Sequence, residues 1–408
     1  MLAAMLIDPY TLPPDKLSQA LQLSHLYDIT DFGGPVWMVL AVLVALRLHW
    51  FARLRDWTQR ITPRWWLQGI ILAPIFVLLF TLIGLPIDIL IHYGKLLYGL
   101  SIQPWPGWFA DQAKGMLPNL ILAIPMLLLG FFLIRRSPKR WWMWFWLLML
   151  PVMVFSTYIN PIIVAPMYSN FEPLAKSNPD LVGKMETVIA KTNLSIPPSH
   201  ILMMKAGSKS TVLNAYVTGL GSSRRVVLYD TLIANAPTDE VLFIFAHELG
   251  HSAFNHIFKR TAFQAVLMLV ELFVARLCAL WLIRRFGTRW HISALGDWAA
   301  IGVLALVFIV VNFLSQPVQN AFSRLQEHHA DIYGLEAVHG IVADPQSAAA
   351  DFEQRSGENT LDPPHEKPLI VIWSYTHPAT TDRKQFEATY NPWRAGQHPK
   401  YFPDDKAQ

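Results

Sequence analysis

Long apolar runs separated by short basic turns dominate this chain. A bilayer core needs about 20 mostly apolar residues in helical form, and six stretches meet or approach that length: Pro35–Phe51, Leu67–Ile91, Leu117–Ile134, Trp141–Ile163, Ala262–Ile283 and Trp298–Leu314. The first is short and carries Arg47, and the second is interrupted by Pro74 and Pro86. The fourth opens on tryptophans, which favour a membrane interface. Between the fourth and fifth runs the pattern changes to mixed charge, proline and short alternating stretches, the signature of a folded unit outside the membrane. A polar tail follows the sixth run, with a proline-rich end after Asn391 expected to be irregular. The expected division is 1–164 for the first four spans, 165–260 and 323–408 for two halves of one extramembrane unit, and 261–322 for the last two spans. The fold class expected is mainly α, a polytopic helical membrane protein with a split α+β domain.

Composition agrees with that pattern. The 408 residues are 53% hydrophobic and 15% charged, too apolar for an ordinary pair of soluble domains. The formal charge of +4 does not point to nucleic acid, because the basic residues flank apolar runs instead of forming a stripe. One cysteine, Cys278, excludes an internal disulfide framework and any cysteine-based metal cluster within the chain. The first sixteen residues lack a basic region followed by a long apolar core, so insertion is expected to rely on internal spans. Arg53, Arg55, Arg60 and Arg64 follow the first span, Arg135, Arg136, Lys139 and Arg140 the third, and Arg284, Arg285 and Arg289 the fifth. Short cytoplasmic loops carry the excess of Lys and Arg, so with six spans the extramembrane unit is expected on the opposite, non-cytoplasmic face.

The sharpest chemical feature is DEVLFIFAHELGHSAFNH, in which His247, Glu248 and His251 form H-E-x-x-H within a helical pattern. Residues four apart share a helix face, so one helix can present both imidazoles to a tetrahedral zinc. Glu248, about 100° round from His247, then reaches a water in the open position. A buried apolar helix rarely tolerates two histidines and a glutamate unless they are paired or bind metal. Gly250 leaves room for another backbone or a substrate. His256, five residues past His251, is expected to point away from that face and to be structural.

A catalytic zinc keeps three protein ligands and one open position, and NAFSRLQEHHADIYG offers the third. Glu327 and Asp331 are four apart, so Glu327 can bind zinc while Asp331 orients a ligand histidine. His328 and His329 are rival ligands. Either would leave the carboxylate pair unexplained. The plain alternative for the segment is a solvated charged helix end.

With these residues in view, the chain resembles the type I CAAX prenyl protease family, integral membrane gluzincins that cleave the last three residues from prenylated C-terminal peptides. The resemblance runs through LPPDKLSQALQLSHLYD, LPIDIL, NPIIVAPMYSNFEPL, NAYVTGLGSSRRVVLYDTLI, AHELGH, RLQEHHAD and THPATTDR. It implies one zinc per chain held by His247, His251 and Glu327, with Glu248 as catalytic acid and base and Asp331 behind a ligand. It further implies that His377 and Arg383 contact substrate and stabilise an oxyanion, and that Asn214, Ala215 and Tyr216 form an edge strand pairing with substrate backbone. The eukaryotic members carry one more N-terminal span, and Leu325 and Gln326 replace a more usual basic and aromatic pair, which suggests a bacterial inner-membrane member. The family's catalytic domain faces the cytoplasm, contrary to the charge pattern here.

The expected partners are the bilayer and a peptide or protein substrate, lipidated or membrane-associated, and not nucleic acid. A second enzymatic reading is a quality-control protease of the heat-shock-induced membrane type, whose members are shorter. A third is a non-catalytic zinc-binding membrane protein or transporter, which would need ionisable residues inside several spans. Asp88 and Glu271 are the main ones; Asp88 lies near a span end, and Glu271 is a candidate to line a polar cavity.

Overall fold

The computed structural model describes residues 9–163, 165–219, 221–394 and 397–403, with the side chains of 159–163, 165 and 222 left aside. Six described helices are long and apolar enough to cross a membrane. In chain order the helices are α1 (Pro14–Arg47), α2 (Trp50–Ile61), α3 (Trp65–Leu97), α4 (Trp105–Arg136), α5 (Trp141–Ile163), α6 (Pro179–Ala190), α7 (Asp230–Asn235), α8 (Thr238–Ala253), α9 (His256–Trp290), α10 (Ile301–Val338), α11 (Pro345–Thr360), α12 (Pro368–Ser374) and α13 (Thr380–Thr389). The spanning set is α1, α3, α4, α5, α9 and α10. Their outward faces carry exposed apolar side chains such as Leu82, Ile121, Phe155, Val266 and Trp281, which only lipid covers without penalty.

Several helices are longer than the apolar runs that announce them. At about 1.5 Å per residue the 34 residues of α1 reach about 51 Å, against roughly 30 Å of hydrocarbon. The excess lies before Pro35, where Tyr10 donates to the Asp362 carbonyl at 2.6 Å and Lys16 pairs with Glu358 at 3.1 Å. The first span is thus a full-length helix whose polar N-terminal part docks on the C-terminal segment, not the short stretch from Pro35. Likewise α4 starts at Trp105, twelve residues before the apolar run, and Asp111 near its start meets Lys209 at 2.6 Å. The sixth run continues without a break through residue 322 to Val338, so one helix carries both the span and the Glu327 and Asp331 pair.

The two ends of the bundle differ in charge. Arg55 on α2 reaches Asp297 at 2.5 Å and the His291 carbonyl at 2.8 Å, and Arg135 at the end of α4 reaches the Gly296 carbonyl at 2.7 Å. His49 contacts the Arg289 carbonyl at 2.9 Å. All three basic turns therefore meet at one end, around a core centred on Trp298, Phe131 and Phe51. The extramembrane unit occupies the other end.

That unit holds a four-stranded sheet, β1 (Phe171–Pro173), β2 (Ile201–Met204), β3 (Ala215–Thr218) and β4 (Arg225–Tyr229), ordered β1-β2-β4-β3. Strands β2 and β4 run parallel and the other pairs antiparallel, leaving β3 at an edge. One face packs Val226 and Leu228 against α6, α8 and the end of α10 in a second apolar core. Glu336, fully buried near the end of α10, accepts from the backbone of Lys400 and Tyr401, both at 2.6 Å, and so fastens the tail to this core.

Candidate active site

Helix α8 is buried nearly all round from Glu240 to Gly250, so its polar residues must find partners in protein. Asp239 and Glu240 in its first turn suit the helix dipole, and Glu240 takes two contacts from Arg355, 2.9 and 3.0 Å, that fix α8 to α11. Helix α10 crosses α8 where neither can carry bulk. A Cβ on Gly250 would stand 3.0 Å from the Tyr333 Cβ and 3.2 Å from the Ala330 Cα, and one on Gly334 would stand 3.1 Å from the His247 backbone nitrogen. Gly250 therefore admits the backbone of α10, and that approach brings Glu327 and Asp331 onto the two histidines.

The His247 and His251 Nε2 atoms lie 3.1 Å apart, and Glu327 Oε2 sits 3.4 Å from the first and 3.5 Å from the second. Glu327 Oε2 is buried and accepts no hydrogen bond, so three lone-pair atoms converge on one point where they would repel without a cation. A tetrahedral ion such as zinc, with bonds of about 2.0–2.2 Å, sets its ligand atoms about 3.3–3.6 Å apart. The donor set fits such an ion in spacing and chemistry. Glu248 belongs to the same cluster, its carboxylate within 4.8 Å of the imidazole ligand atoms. His328 instead packs its ring 4.5 Å from Phe386, and His329 faces Phe254, so neither rival joins the cluster.

The outer contacts orient these groups. His247 Nδ1 is 2.9 Å from Asp331 Oδ1, near enough for strong attraction although its N–H is not aimed squarely at the oxygen. Burial opposes charge on His247, while the Asp331 and Glu327 carboxylates beside it draw positive charge toward its ring. Burial pushes the Glu248 carboxyl up, the direction that suits a group shuttling protons near neutrality. Glu248 Oε2 accepts from the Val217 backbone N–H at 3.0 Å.

Two expectations change in detail. Arg383 stands behind Asp331: its Nε and Nη2 donate to Asp331 at 3.1 and 2.5 Å, and its Nη1 lies 2.9 Å from Glu353. Its donors are spent on carboxylates, so the geometry favours holding Asp331 over meeting an oxyanion. His377 is exposed at the rim, with Nε2 3.5 Å from Glu327 Oε2. On β3, Tyr229 N–H donates to the Asn214 carbonyl, and the register pairs Tyr216 with Val227. Alternation along the ladder therefore turns the main chain of Asn214 and Tyr216 toward β4 and that of Ala215 and Val217 toward the open edge. Ala215 and Val217 thus lie on the open edge and Asn214 and Tyr216 face β4, with Asn214 Oδ1 accepting from Ala215 N–H at 2.8 Å.

Pattern reading also missed Glu353 and Glu387, which lie in unremarkable polar helices. Burial pushes Glu353 up to about 7, against the pull of Arg383, and burial with the neighbouring carboxylates raises Glu387 well above the carboxylate range. Because the folded value of Glu353 exceeds that of the unfolded chain, its contribution is complete below about pH 4.5 and is lost as pH rises through about 7. Glu353→Gln should therefore flatten the fall in thermal midpoint between pH 5 and 8 relative to the parent. Equal slopes for the two proteins in a thermal-melt series would contradict that assignment.

Residues 175–386 match the family model described as peptidase family M48, and residues 32–170 match the model described as CAAX prenyl protease N-terminal, five membrane helices. The chain is 31% identical over 376 residues to the uncharacterized metalloprotease YhfN of Bacillus subtilis, covering 91% of this chain and 85% of that one. It is 24% identical over 319 residues to CAAX prenyl protease 1 of Saccharomyces cerevisiae, covering 74% and 68%. Among solved structures it is similar to the crystal structure of S. mikatae Ste24p, with a TM-score of 0.78 at 18% identity over 95% of this chain and 93% of that one.

Proposed function

Since the chain belongs to peptidase family M48 and is an integral, multi-pass membrane metalloprotease, we propose that it is a zinc endopeptidase whose single metal ion is held by His247, His251 and Glu327. The observation that carries the reading is the convergence of those three side chains on one point, beside a buried carboxylate that binds nothing else but a backbone N–H.

When bound, zinc lowers the pKa of a water toward about 7 and polarises a carbonyl. The chain's own groups do the rest. The carbonyls of Ala215 and Val217 on the open edge accept from the backbone N–H groups of an extended peptide and align its scissile bond over Glu248. With Oε2 held by Val217 N–H, Glu248 takes the proton of the attacking water on Oε1 and delivers it to the leaving amine. His377 at the rim donates to the oxygen on which charge develops. Asp331, gripped by Arg383, fixes the ring of His247.

The site lies at the ends of the spans, so the substrate class proposed is peptide held near the bilayer by a lipid or a neighbouring apolar segment. The three basic turns meet at the opposite end. That supports a non-cytoplasmic catalytic face in a bacterial inner membrane. Removal of a C-terminal tripeptide from a prenylated peptide is then an activity to assay rather than the physiological task.

The test uses the full chain in lipid nanodiscs. It should hold about one zinc per chain and cleave a lipidated peptide faster than the same peptide without its lipid. In intact cells of a Cys278→Ser background, a membrane-impermeant thiol reagent should label Ser208→Cys and not Lys139→Cys. Cleavage of unfolded protein with no preference for lipid would favour the quality-control reading, and labelling of Lys139→Cys alone would reverse the orientation.

A further inference from the structure

Helix α8 ends at Ala253, and the chain does not continue straight into α9. Asn255 adopts a left-handed conformation, φ +52°, where a non-glycine residue is strained unless it is held. It is held from the turn before β4 by Arg224, whose guanidinium donates to Asn255 Oδ1 at 2.9 Å. From α10, Gln326, the residue before Glu327, contacts the carbonyl of His256 at 3.5 Å. The consequence is that His256, which in a continuous helix would face away from His251, is swung back onto it. The two Nδ1 atoms are 2.8 Å apart and His256 is 3% exposed.

We infer that His256 is the positioning residue for His251, a neutral imidazole that accepts the His251 Nδ1 proton and thereby presents His251 Nε2 to the metal. The inference rests on His251 being a ligand through Nε2, as its 3.1 Å approach to His247 Nε2 supports. A ring that offers Nε2 as a lone pair must carry its proton on Nδ1, and the one atom set to receive that proton is His256 Nδ1. His256 must then keep its own proton on Nε2. The two ligand histidines are thus held differently. His247 leans on a carboxylate that attracts positive charge onto its ring, whereas His251 leans on a neutral acceptor that fixes tautomer and ring plane without adding charge. This keeps one negative charge out of a buried site that already holds Glu327 and Glu248.

The test compares variants of the full chain in nanodiscs by the rate at which a chelator strips zinc. Asparagine places its Oδ1 close to where His256 Nδ1 stands, so His256→Asn should retain zinc within about threefold of the parent. His256→Leu removes the acceptor and should lose zinc about 10–100-fold faster, with activity restored by added zinc. If the leucine variant does not fold, His256→Met carries the same expectation. Leucine or methionine variants that hold zinc like the parent, or an asparagine variant as leaky as they are, would overturn the inference. A parent protein that binds no zinc would overturn the ligand reading itself, and this inference with it.

Discussion

Glu248→Gln is expected to keep its metal and its fold while losing roughly a thousandfold in kcat, about 4 kcal/mol of barrier. The contacts around the carboxylate say why the change should be so clean. Val217 N–H can only donate, so in the variant the amide carbonyl oxygen must take the position of Oε2 to accept from it. The amide NH2 is then turned to where Oε1 stood, presenting donors at the one place that needs a proton acceptor. The atoms of His247, His251 and Glu327 proposed to hold the metal are untouched, and so is the strand edge proposed for substrate. KM should therefore stay within a few-fold while kcat falls. Metal analysis beside single-turnover cleavage decides it. A variant that cleaves at the parent rate would remove Glu248 from the chemistry, and one that loses zinc would make it a ligand.

The sequence shows His247 and His251, and Glu327 and Asp331, because each pair shares one face of one helix and the i, i+4 period is local. What brings the two pairs together is legible only afterwards. Gly250 and Gly334 read as ordinary helix glycines until α8 and α10 are seen to cross there. Span cores are visible as apolar runs, but true helix ends are not. The first part of α1 is polar and outside the apolar run, and its helical continuation is visible only where Lys16 and Asp28 dock on Glu358 and Lys367 of the C-terminal segment. The assignment of His256 failed for a specific reason: counting five residues from His251 assumes an unbroken helix, and Asn255 breaks it. The edge-strand resemblance located the strand but not its alternation, which makes Val217 a neighbour of Glu248.

Arg383 carries the other large expected effect, and the two roles available to it predict different losses. Among the described residues it is the cation that faces three acidic groups: Asp331 and Glu353 in contact, and Glu387, which burial keeps protonated, at 3.8 Å with both oxygens otherwise unpartnered. All three are almost wholly buried. Removing the cation from such a group leaves charges without compensation, which costs about 3–5 kcal/mol when one partner of a buried pair is deleted. Part of that cost would be met by protonation, and an Asp331 that takes up a proton would hold His247 less firmly. Arg383→Met should therefore lower the thermal midpoint, the more so as pH rises from 6 to 8, and weaken zinc retention most at the low end of that range, where Asp331 is protonated. An arginine that served only the oxyanion would behave otherwise, with kcat alone falling and metal and melting unchanged. Adding Glu353→Gln to Arg383→Met should recover part of the stability, because it deletes a carboxylate that loses its partner with Arg383 and ionises as pH rises through about 7. Failure of that second change to restore any stability would show that the cluster is not what Arg383 holds together.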